Sequence, residues 1–355
     1  MGLLAAIIVL GVLIVVHEFG HFIVAKRSGV GVLKFSVGFG PRLFGRTVNG
    51  TEYVLSAIPL GGYVKMVGED PDATEPVDPR ISFSHQNVWK RVAIVIAGPV
   101  FNLIFAFLAF TMVLAVYGQR VPSDLAQVGG VMPDMPAARA GLEAGDVMTA
   151  VAGKPIASWD ELSSAIRASE GAPVALAVRR GDAVLELTVT PEAKPDKNIF
   201  GEVIGQAYVI GIERGFTQED VGPIEAIAAG ARQTMFWIET LIMSVVKIFQ
   251  GKIPAQDIGG PILIVQAAGQ QAQVGLESLL LFMAVISINL GILNLLPIPI
   301  LDGGHLLFFL VEAVMRRPLD IRHREIAQQV GLVILLGLMA FAFYNDILRV
   351  IRGWG

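Results

Sequence analysis

Four long apolar runs determine what kind of fold this chain can adopt. The first covers residues 1–25 and begins with an uncharged stretch, Gly2–Val16; the others, Val92–Tyr117, Ser278–Leu301 and Ile326–Asn345, carry no charged residue. Because about 20 apolar residues in a helix cross a bilayer, the runs predict four transmembrane helices. The mean hydropathy of +0.63 and the charged fraction of 16%, against about 25% in soluble domains, indicate a polytopic membrane protein.

Charge and cysteine content exclude several classes of function. The net charge of −4 provides no basic field, so nucleic acid is not expected as a partner. The absence of cysteine excludes disulfides, thiolate catalysis and cysteine-bound zinc. The first apolar run has no basic residue before it, and we therefore predict a retained helix instead of a cleaved signal peptide.

The runs divide the chain into four regions. We predict an N-terminal membrane half at 1–119, a soluble domain at 120–195, an amphipathic membrane-surface region at 196–275 and a C-terminal membrane half at 276–355. Within residues 220–250, Arg232, Glu239 and Lys247 recur about every seven residues, which is typical of a helix that rests on the membrane surface. A fifth span is the alternative, but it would give an odd count.

Residues 28–66 are rich in glycine and β-branched side chains. Leu33–Gly38 and Glu52–Ala57 are strand-like, and Gly61-Gly62 precedes Tyr63. We predict a small membrane-associated β-hairpin or sheet, whose free edge either pairs with an extended peptide by strand addition or serves only as a structural hairpin. The acidic, proline-rich residues 69–80 are predicted to form a loop.

Basic residues near the ends of the spans predict the orientation of the chain. They are Lys26, Arg27, Lys90 and Arg91 in the first connection, and Arg316, Arg317, Arg322 and Arg324 in the third. Because lysine and arginine are enriched in cytoplasmic loops, residues 27–91 are predicted to be cytoplasmic. Alternation then places the N-terminus and the soluble domain outside the cytoplasm.

Residues 17–21 read His17-Glu18-Phe19-Gly20-His21, an H-E-x-x-H motif inside the first apolar run. Positions i and i+4 share a helix face, so both histidines can bind one metal ion, and Glu18 is a candidate general base. A histidine pair on a helix is more often structural. Here the intervening glutamate and the apolar surroundings favour a metal site.

A hydrolytic zinc site usually has three protein ligands and one open position, so a third ligand is needed. Asp302 is the one ionisable group that terminates the third apolar run. A carboxylate at membrane depth costs about 2.5–3.5 kcal/mol, a cost that binding to a cation would relieve. Asp302 is therefore the predicted third ligand, with a helix-capping role as the alternative. His305 is expected to face the site without binding the metal.

The stretch Pro136-Ala137-Ala138-Arg139-Ala140-Gly141-Leu142-Glu143-Ala144-Gly145-Asp146-Val147 resembles the signature of PDZ domains. Predicted strands at Gln127–Met132, Val147–Val151, Val174–Arg179 and Val184–Val189, with helices at Ala137–Leu142 and Trp159–Ala168, fit one α+β domain of this type. The resemblance implies a peptide or protein ligand. The chain has room for one such domain.

Together the motifs resemble the site-two protease family of intramembrane metalloproteases, and in particular the regulator-of-sigma-E group. The residues that carry the resemblance are His17–His21, Gly98-Pro99 with Asn102, and Asn294-Leu295-Leu296-Pro297-Ile298-Pro299-Ile300-Leu301-Asp302-Gly303-Gly304. The resemblance implies that His17, His21 and Asp302 hold Zn²⁺ and that Glu18 transfers protons. It also implies a location in the bacterial cytoplasmic (inner) membrane.

The same resemblance implies roles in substrate binding. Asn289 and Asn294 resemble asparagines that position substrate or stabilise an oxyanion, and Gly61-Gly62-Tyr63 resembles a hairpin that holds substrate extended. Asn102 either joins them or packs spans two and three by hydrogen bonding. The implied substrate is a single-span membrane protein already shortened outside, such as an anti-sigma factor or a signal-peptide remnant.

Two other functions are consistent with parts of this pattern. A membrane scaffold that acts through its PDZ-like domain would carry a vestigial metal site, but the intact Glu18 argues against it. A surface-acting zinc peptidase for soluble peptides is disfavoured because the uncharged run before His17 buries the motif.

Overall fold

The computed structural model describes residues 2–69, 77–317 and 320–352, so most of the predicted loop at 69–80 lies outside the described residues. The helices are α1 (Gly2–Arg27), α2 (Val88–Tyr117), α3 (Pro136–Arg139), α4 (Trp159–Ala168), α5 (Pro223–Phe249), α6 (Pro261–Val274), α7 (Leu276–Asn294), α8 (Asp302–Met315) and α9 (Ile321–Ile351). Two compact units result: Met1–Val116 with Pro223–Gly355, and Tyr117–Gly222.

The strands are shorter and more numerous in the second unit. They are β1 (Val32–Val48), β2 (Thr51–Met66), β3 (Gln119–Pro122), β4 (Val128–Val131), β5 (Val147–Val151), β6 (Lys154–Pro155), β7 (Val174–Arg180), β8 (Ala183–Val189), β9 (Glu192–Lys197), β10 (Val203–Val209), β11 (Ile212–Arg214) and β12 (Phe216–Glu219). The first two belong to the membrane unit, and the other ten to the unit at 117–222.

Four helices among the described residues are long and apolar enough to cross a membrane: α1, α2, α7 and residues Arg322–Ile351 of α9. This confirms the prediction of four long apolar helices. The predicted amphipathic helix at 220–250 is observed as α5, which is not among the four. Its buried residues Ala226, Ala229, Gly230 and Thr234 follow helical spacing along one stripe.

The third span differs from its prediction. The apolar run Ser278–Leu301 does not form one helix: α7 ends at Asn294, and α8 begins at Asp302 after an irregular turn. Pro297 and Pro299 cause the break, because proline lacks an amide hydrogen and keeps the residue before it out of the helical region. Asp302 therefore starts a helix; it does not end one.

The glycines after Asp302 allow a close packing of backbone on backbone. A Cβ at Gly303 would collide with the carbonyl oxygens of Leu295 and Leu296, and one at Gly304 with that of Ile298. The two glycines thus allow the first turn of α8 to pack on the backbone of the preceding turn.

Small residues bring the membrane helices together. Ala5 and Ala6 of α1 pack against Ala268 of α6, and Gly2 and Gly269 are in close backbone contact. On the other side, Ala106 and Phe110 of α2 pack with residues of α7. The α2–α7 cluster comprises Ala106, Ala109, Phe110, Ala284 and Ile288. Without a hydrophobic force between helices in lipid, such close packing supplies the association.

The hairpin is much longer than predicted, and its register doubles back. Residues Lys34–Val37 of β1 have Glu52–Leu55 of β2 on one side and Gly62–Lys65 on the other. The later part of β1, from Arg42 to Val48, pairs with the first part of β2. The segment 62–66 therefore forms an outer edge of this small sheet.

A carboxylate near the end of α9 caps the start of α6. Asp346, which is 2% exposed, accepts hydrogen bonds from the backbone N–H groups of Gly260, Ile262 and Leu263 at 2.9–3.1 Å. These amides have no partner within their own helix, so the carboxylate satisfies them and complements the helix dipole. The contact fixes the end of the fourth span to the segment before the third.

The unit at 117–222 is an α+β domain that extends beyond the predicted boundary at residue 195. Its four-stranded sheet has the order β6-β5-β7-β8, in which β5, β7 and β8 match three of the predicted strands; the other predicted strand, at Gln127–Met132, is observed as β4 and lies outside this sheet. Residues 196–222, which we had predicted as part of the membrane-surface region, continue β9 and form β10–β12. The β11 strand pairs with β4, and β12 with β3, so the core depends on residues distant in sequence.

Asp146, the last acidic residue of the PDZ-like signature, connects two segments of this unit by hydrogen bonds. It is 1% exposed and accepts hydrogen bonds from the Arg180 side chain at 2.8 and 2.9 Å and from the Glu143 backbone at 2.9 Å. The Arg180 guanidinium holds the pKa of the Asp146 carboxyl below its ordinary value. A group with a lowered pKa stabilises the fold above its unfolded pKa and stops doing so as the pH falls.

We expect Asp146→Asn to destabilise this unit by roughly 1–3 kcal/mol at neutral pH, because a buried charged hydrogen bond is lost. The difference from wild type should shrink as the pH falls below about 4, where the unfolded carboxyl becomes protonated. Pulse proteolysis of the full chain in detergent measures it. Asp182→Asn, at an exposed position in the same unit, is the matched control, and equal effects of the two changes would contradict the prediction.

Candidate metal centre

The two histidines of H-E-x-x-H and the aspartate at the start of α8 converge inside the membrane unit. The Nε2 atom of His17 lies 3.0 Å from Oδ2 of Asp302 and 3.2 Å from Nε2 of His21, and the His21–Asp302 distance is 3.6 Å. His17 and His21 are 7% and 9% exposed. Among the described residues, these three form the one group of ligand-type atoms close enough to hold a metal ion.

The donor set fits a divalent cation such as zinc. Oδ2 of Asp302 is buried and has no hydrogen-bond partner among the described residues, although two imidazole nitrogens face it. A cation at the common point would satisfy this oxygen and separate nitrogens that otherwise crowd each other. Two imidazole nitrogens and one carboxylate are a ligand set that catalytic zinc uses.

Helix α2 holds the two imidazole rings in place. Nδ1 of His21 donates to the Ile94 carbonyl at 2.9 Å, and the Asn102 amide nitrogen lies 3.2 Å from Nδ1 of His17. Between them, Gly98 leaves room for both rings, because a Cβ there would collide with Nε2 of His21 and lie 2.8 Å from Cε1 of His17. The motif of Gly98 and Asn102 does not by itself predict this packing, and no sequence pattern predicts a role for the Ile94 carbonyl.

Glu18 is half-buried beside the ligand group, where β2 passes. A Cβ at Gly62 would lie 3.7 Å from Cγ of Glu18, and the Val64 backbone N–H donates to the Glu18 carboxylate. Gly61 has φ +124°, and its missing side chain makes room for the ring of Phe39, which stacks on Tyr63. The strand edge that the sequence predicted as a peptide site thus lies next to the candidate base.

The three asparagines predicted to bind substrate differ in their distance from the ligand group and in their burial. The Asn294 amide at the end of α7 lies 3.4 Å from Nε2 of His17, so the structure brings it to the centre. Asn289 is half-buried further up α7 and does not line the cavity described below. Asn102 is 0% exposed, and its amide nitrogen lies 3.2 Å from Nδ1 of His17 in the first span. Its two predicted roles, in substrate binding or in the packing of spans two and three, stay predictions.

A cavity of about 1040 Å³ runs from the ligand group to the C-terminal end of α8 and the N-terminal ends of α2 and α9. His17, Glu18, His21 and Asp302 line its inner part, together with Tyr63 and Val64 of β2. His305 also lines the cavity. The outer part is lined by charged residues: Glu69, Arg91, Glu312, Asp320, Arg324 and Glu325. Such a lining admits water to a site otherwise surrounded by apolar helices.

Two ion pairs fix α8 relative to α2 and α9. Arg91 of α2 forms a two-armed pair with Glu312, at 2.5 and 3.1 Å, and its guanidinium lies 4.9 Å from the centre of the Phe309 ring. Arg324 of α9 reaches the same carboxylate at 3.4 Å. Because α8 begins at Asp302, these contacts help to set the position of the carboxylate ligand.

Comparison with known proteins identifies the family. Residues 5–338 match the sequence profile of peptidase family M50. A Rhizobium meliloti protein named as a zinc metalloprotease is 36% identical over 95% of this chain and 94% of its own length. The regulator of sigma-E protease of Salmonella typhimurium is 33% identical over 98% of this chain and 99% of its own length. That alignment spans 447 positions, so the relative contains residues without a counterpart here.

Among solved structures, a PDZ domain of the SdrC-like protein from Listeria monocytogenes is similar to part of this chain. The identity is 27%, the TM-score is 0.21, and the match covers 27% of this chain and 93% of the other. The family-level resemblance inferred from the motifs is confirmed by the profile match and by relatives whose alignments cover nearly the whole of both chains. The chain therefore belongs to peptidase family M50, the site-two proteases, and is an intramembrane metalloendopeptidase.

Proposed function

We propose that this protein hydrolyses a peptide bond in the transmembrane segment of a single-span membrane protein, with zinc held by His17, His21 and Asp302. The observation that carries the proposal is the convergence of these three side chains beside Glu18, in a cavity enclosed by apolar helices. A zinc ion bound there supplies a Lewis acid that polarises the scissile carbonyl and makes water nucleophilic at neutral pH.

Glu18 is the proposed general base. Its carboxylate lines the cavity next to the ligand group and is close enough to β2 to face a peptide bound along that strand. It accepts the proton of the attacking water and passes it to the leaving amine, so one carboxylate serves both steps. The amide of Asn294 points into the same space and donates to the oxygen on which negative charge develops.

Segment 62–66 of β2 is the proposed binding edge for the substrate. A peptide bond in a helix is shielded by its own hydrogen bonds, so the substrate has to unwind before cleavage. An unwound segment needs new partners for its backbone groups in an apolar environment, and an outer strand edge offers them. Gly61, Gly62 and Tyr63 stand at the start of this edge, beside Glu18.

The proposed substrates are membrane-bound regulators of the anti-sigma-factor type, because a relative is named regulator of sigma-E protease. Signal-peptide remnants present the same chemistry, namely a single apolar span with a short outer end. The unit at 117–222 is proposed to bind a peptide or protein segment. The scaffold alternative is not favoured, since the family match and the complete ligand group with Glu18 support an enzyme.

We further propose that residues 27–91 face the cytoplasm and that the N-terminus and the unit at 117–222 lie outside it, in the bacterial inner membrane. The basic residues at both ends of the first connection support this orientation. The charged outer part of the cavity, with Arg91 and Arg324, then opens toward the cytoplasm.

Glu18→Gln tests the base. The amide keeps the size of the side chain but cannot accept the proton, so cleavage of a model single-span substrate in detergent should fall by about 10²–10⁴-fold. Zinc content, measured by inductively coupled plasma mass spectrometry, should be unchanged. Cleavage within about tenfold of wild type would contradict this role for Glu18.

Asp302→Asn tests the ligand set. Loss of the anionic ligand should lower the zinc content of the purified protein sharply, because two neutral imidazoles remain. Glu225→Gln, which changes an exposed carboxylate of α5 in the same unit, is the matched control and should keep its zinc. Equal zinc in the Asp302 variant and wild type would remove Asp302 from the ligands.

Cysteine labelling tests the orientation. The chain has no cysteine, so Arg80→Cys and Asp182→Cys each introduce a single exposed thiol. In spheroplasts, a membrane-impermeant maleimide should label position 182 and leave position 80 unlabelled until the membrane is opened. The reverse pattern would overturn the proposed topology.

A further inference from the structure

The two metal-facing histidines need the same protonation state, and α2 meets this need in two different ways. An imidazole that binds a metal through Nε2 carries its hydrogen on Nδ1, and in a buried site that hydrogen requires an acceptor. For His21 the acceptor is the Ile94 carbonyl at 2.9 Å. A carbonyl can only accept, so Nδ1 of His21 is protonated and Nε2 keeps its lone pair.

For His17 the partner is Asn102, whose amide can present either a donor or an acceptor. With the nitrogen toward His17, as at 3.2 Å in the structure, the amide donates to Nδ1. The hydrogen of His17 must then be on Nε2, the atom that lies 3.0 Å from Oδ2 of Asp302. In that arrangement Nε2 has no lone pair for a metal.

The oxygen of the same amide, Oδ1 of Asn102, is buried and has no hydrogen-bond partner among the described residues. A half-turn of the amide exchanges oxygen and nitrogen with almost no change of shape. Oδ1 then accepts the hydrogen of Nδ1, and Nε2 of His17 becomes a metal ligand equivalent to that of His21.

We propose that Asn102 is a positioning residue that selects the metal-binding tautomer of His17, by accepting its Nδ1 hydrogen through the amide oxygen. The inference rests on the proposed function, since it takes His17 to be a metal ligand. Asn102 acts through the imidazole and does not touch substrate, in agreement with its complete burial.

The surroundings of Asn102 suit this role. Ile94, Gly98 and Asn102 follow each other at intervals of four, so they form one stripe of α2 beneath the two rings. Along this stripe, the Ile94 carbonyl is the acceptor for His21, Gly98 leaves space for both rings, and the Asn102 amide oxygen is the proposed acceptor for His17. The Asn102 backbone is held in turn by Ser287 of α7, whose hydroxyl donates to its carbonyl at 2.8 Å.

Asn102→Asp and Asn102→Leu separate the two amide orientations. Aspartate offers only acceptor oxygens, so zinc affinity should stay within about threefold of wild type or rise, whereas leucine, which offers no acceptor, should weaken it by about 10–100-fold. The measurement is competition with a chelator on the full chain in detergent. Thr111→Val, a polar-to-apolar change of similar size further along α2 where the side chain faces Gly230 of α5, is the matched control and should bind zinc as wild type does.

A second readout separates positioning from folding. In the zinc-loaded protein labelled with ¹⁵N-histidine, wild type and Asn102→Asp should both show a protonated Nδ1 on His17. Thermal unfolding in excess chelator should be similar for the leucine variant and wild type. Loss of zinc in the aspartate variant equal to that in the leucine variant, or unchanged affinity in the leucine variant, would overturn the proposal.

Failure of the proposed function gives a different result. If wild-type protein binds zinc without His17, then His17→Ala keeps its zinc, and the ligand set itself is wrong. If His17→Ala loses zinc while Asn102→Leu retains it, the ligand set stands and only the role of Asn102 is refuted.

Discussion

The close approach of α1 and α2 is the contact on which the metal centre depends. A Cβ at Gly20, inside the H-E-x-x-H motif, would collide with the Ala97 carbonyl, and a Cβ at Gly98 would collide with His21. Glycine at both positions lets the two helices meet at backbone distance. Only at that distance can the Ile94 carbonyl and the Asn102 amide reach the imidazole rings. In lipid, such packing also supplies helix association that the hydrophobic effect does not.

The same helix connects the two halves of the ligand set. Arg91, at the start of α2, pairs with Glu312 of α8, while α2 further along supports the histidines of α1. The Arg91 guanidinium is 8% exposed and Glu312 is 14% exposed, so the charges are largely removed from water. A buried pair of this kind adds little net stability but is costly to break. It therefore favours one position of α8, and with it one position of Asp302.

The features that can be predicted from the sequence are those that a single segment encodes. The four apolar runs, the histidine pair and the strands β5, β7 and β8 are encoded in local hydropathy or periodicity. Features that depend on distant partners are not encoded in this way. The extension of the unit at 117–222 through β11 and the burial of Asn102 depend on contacts across tens of residues or more. The interruption of the third span is local, because Pro297 and Pro299 break a run whose lack of charge predicts one continuous helix.

The amino-acid sequence by itself determined that this protein lies in a membrane and that His17, Glu18 and His21 share one helix. Apolar length and helical period are properties of one segment, so no fold is needed to recognise them. The tertiary structure alone decided that Asp302 meets the two histidines at 3.0 and 3.6 Å, and that the Asn102 amide lies against the His17 ring. Those outcomes depend on where helices separated by nearly 300 residues pack, and that packing is set by glycines whose effect is visible only once their neighbours are in place.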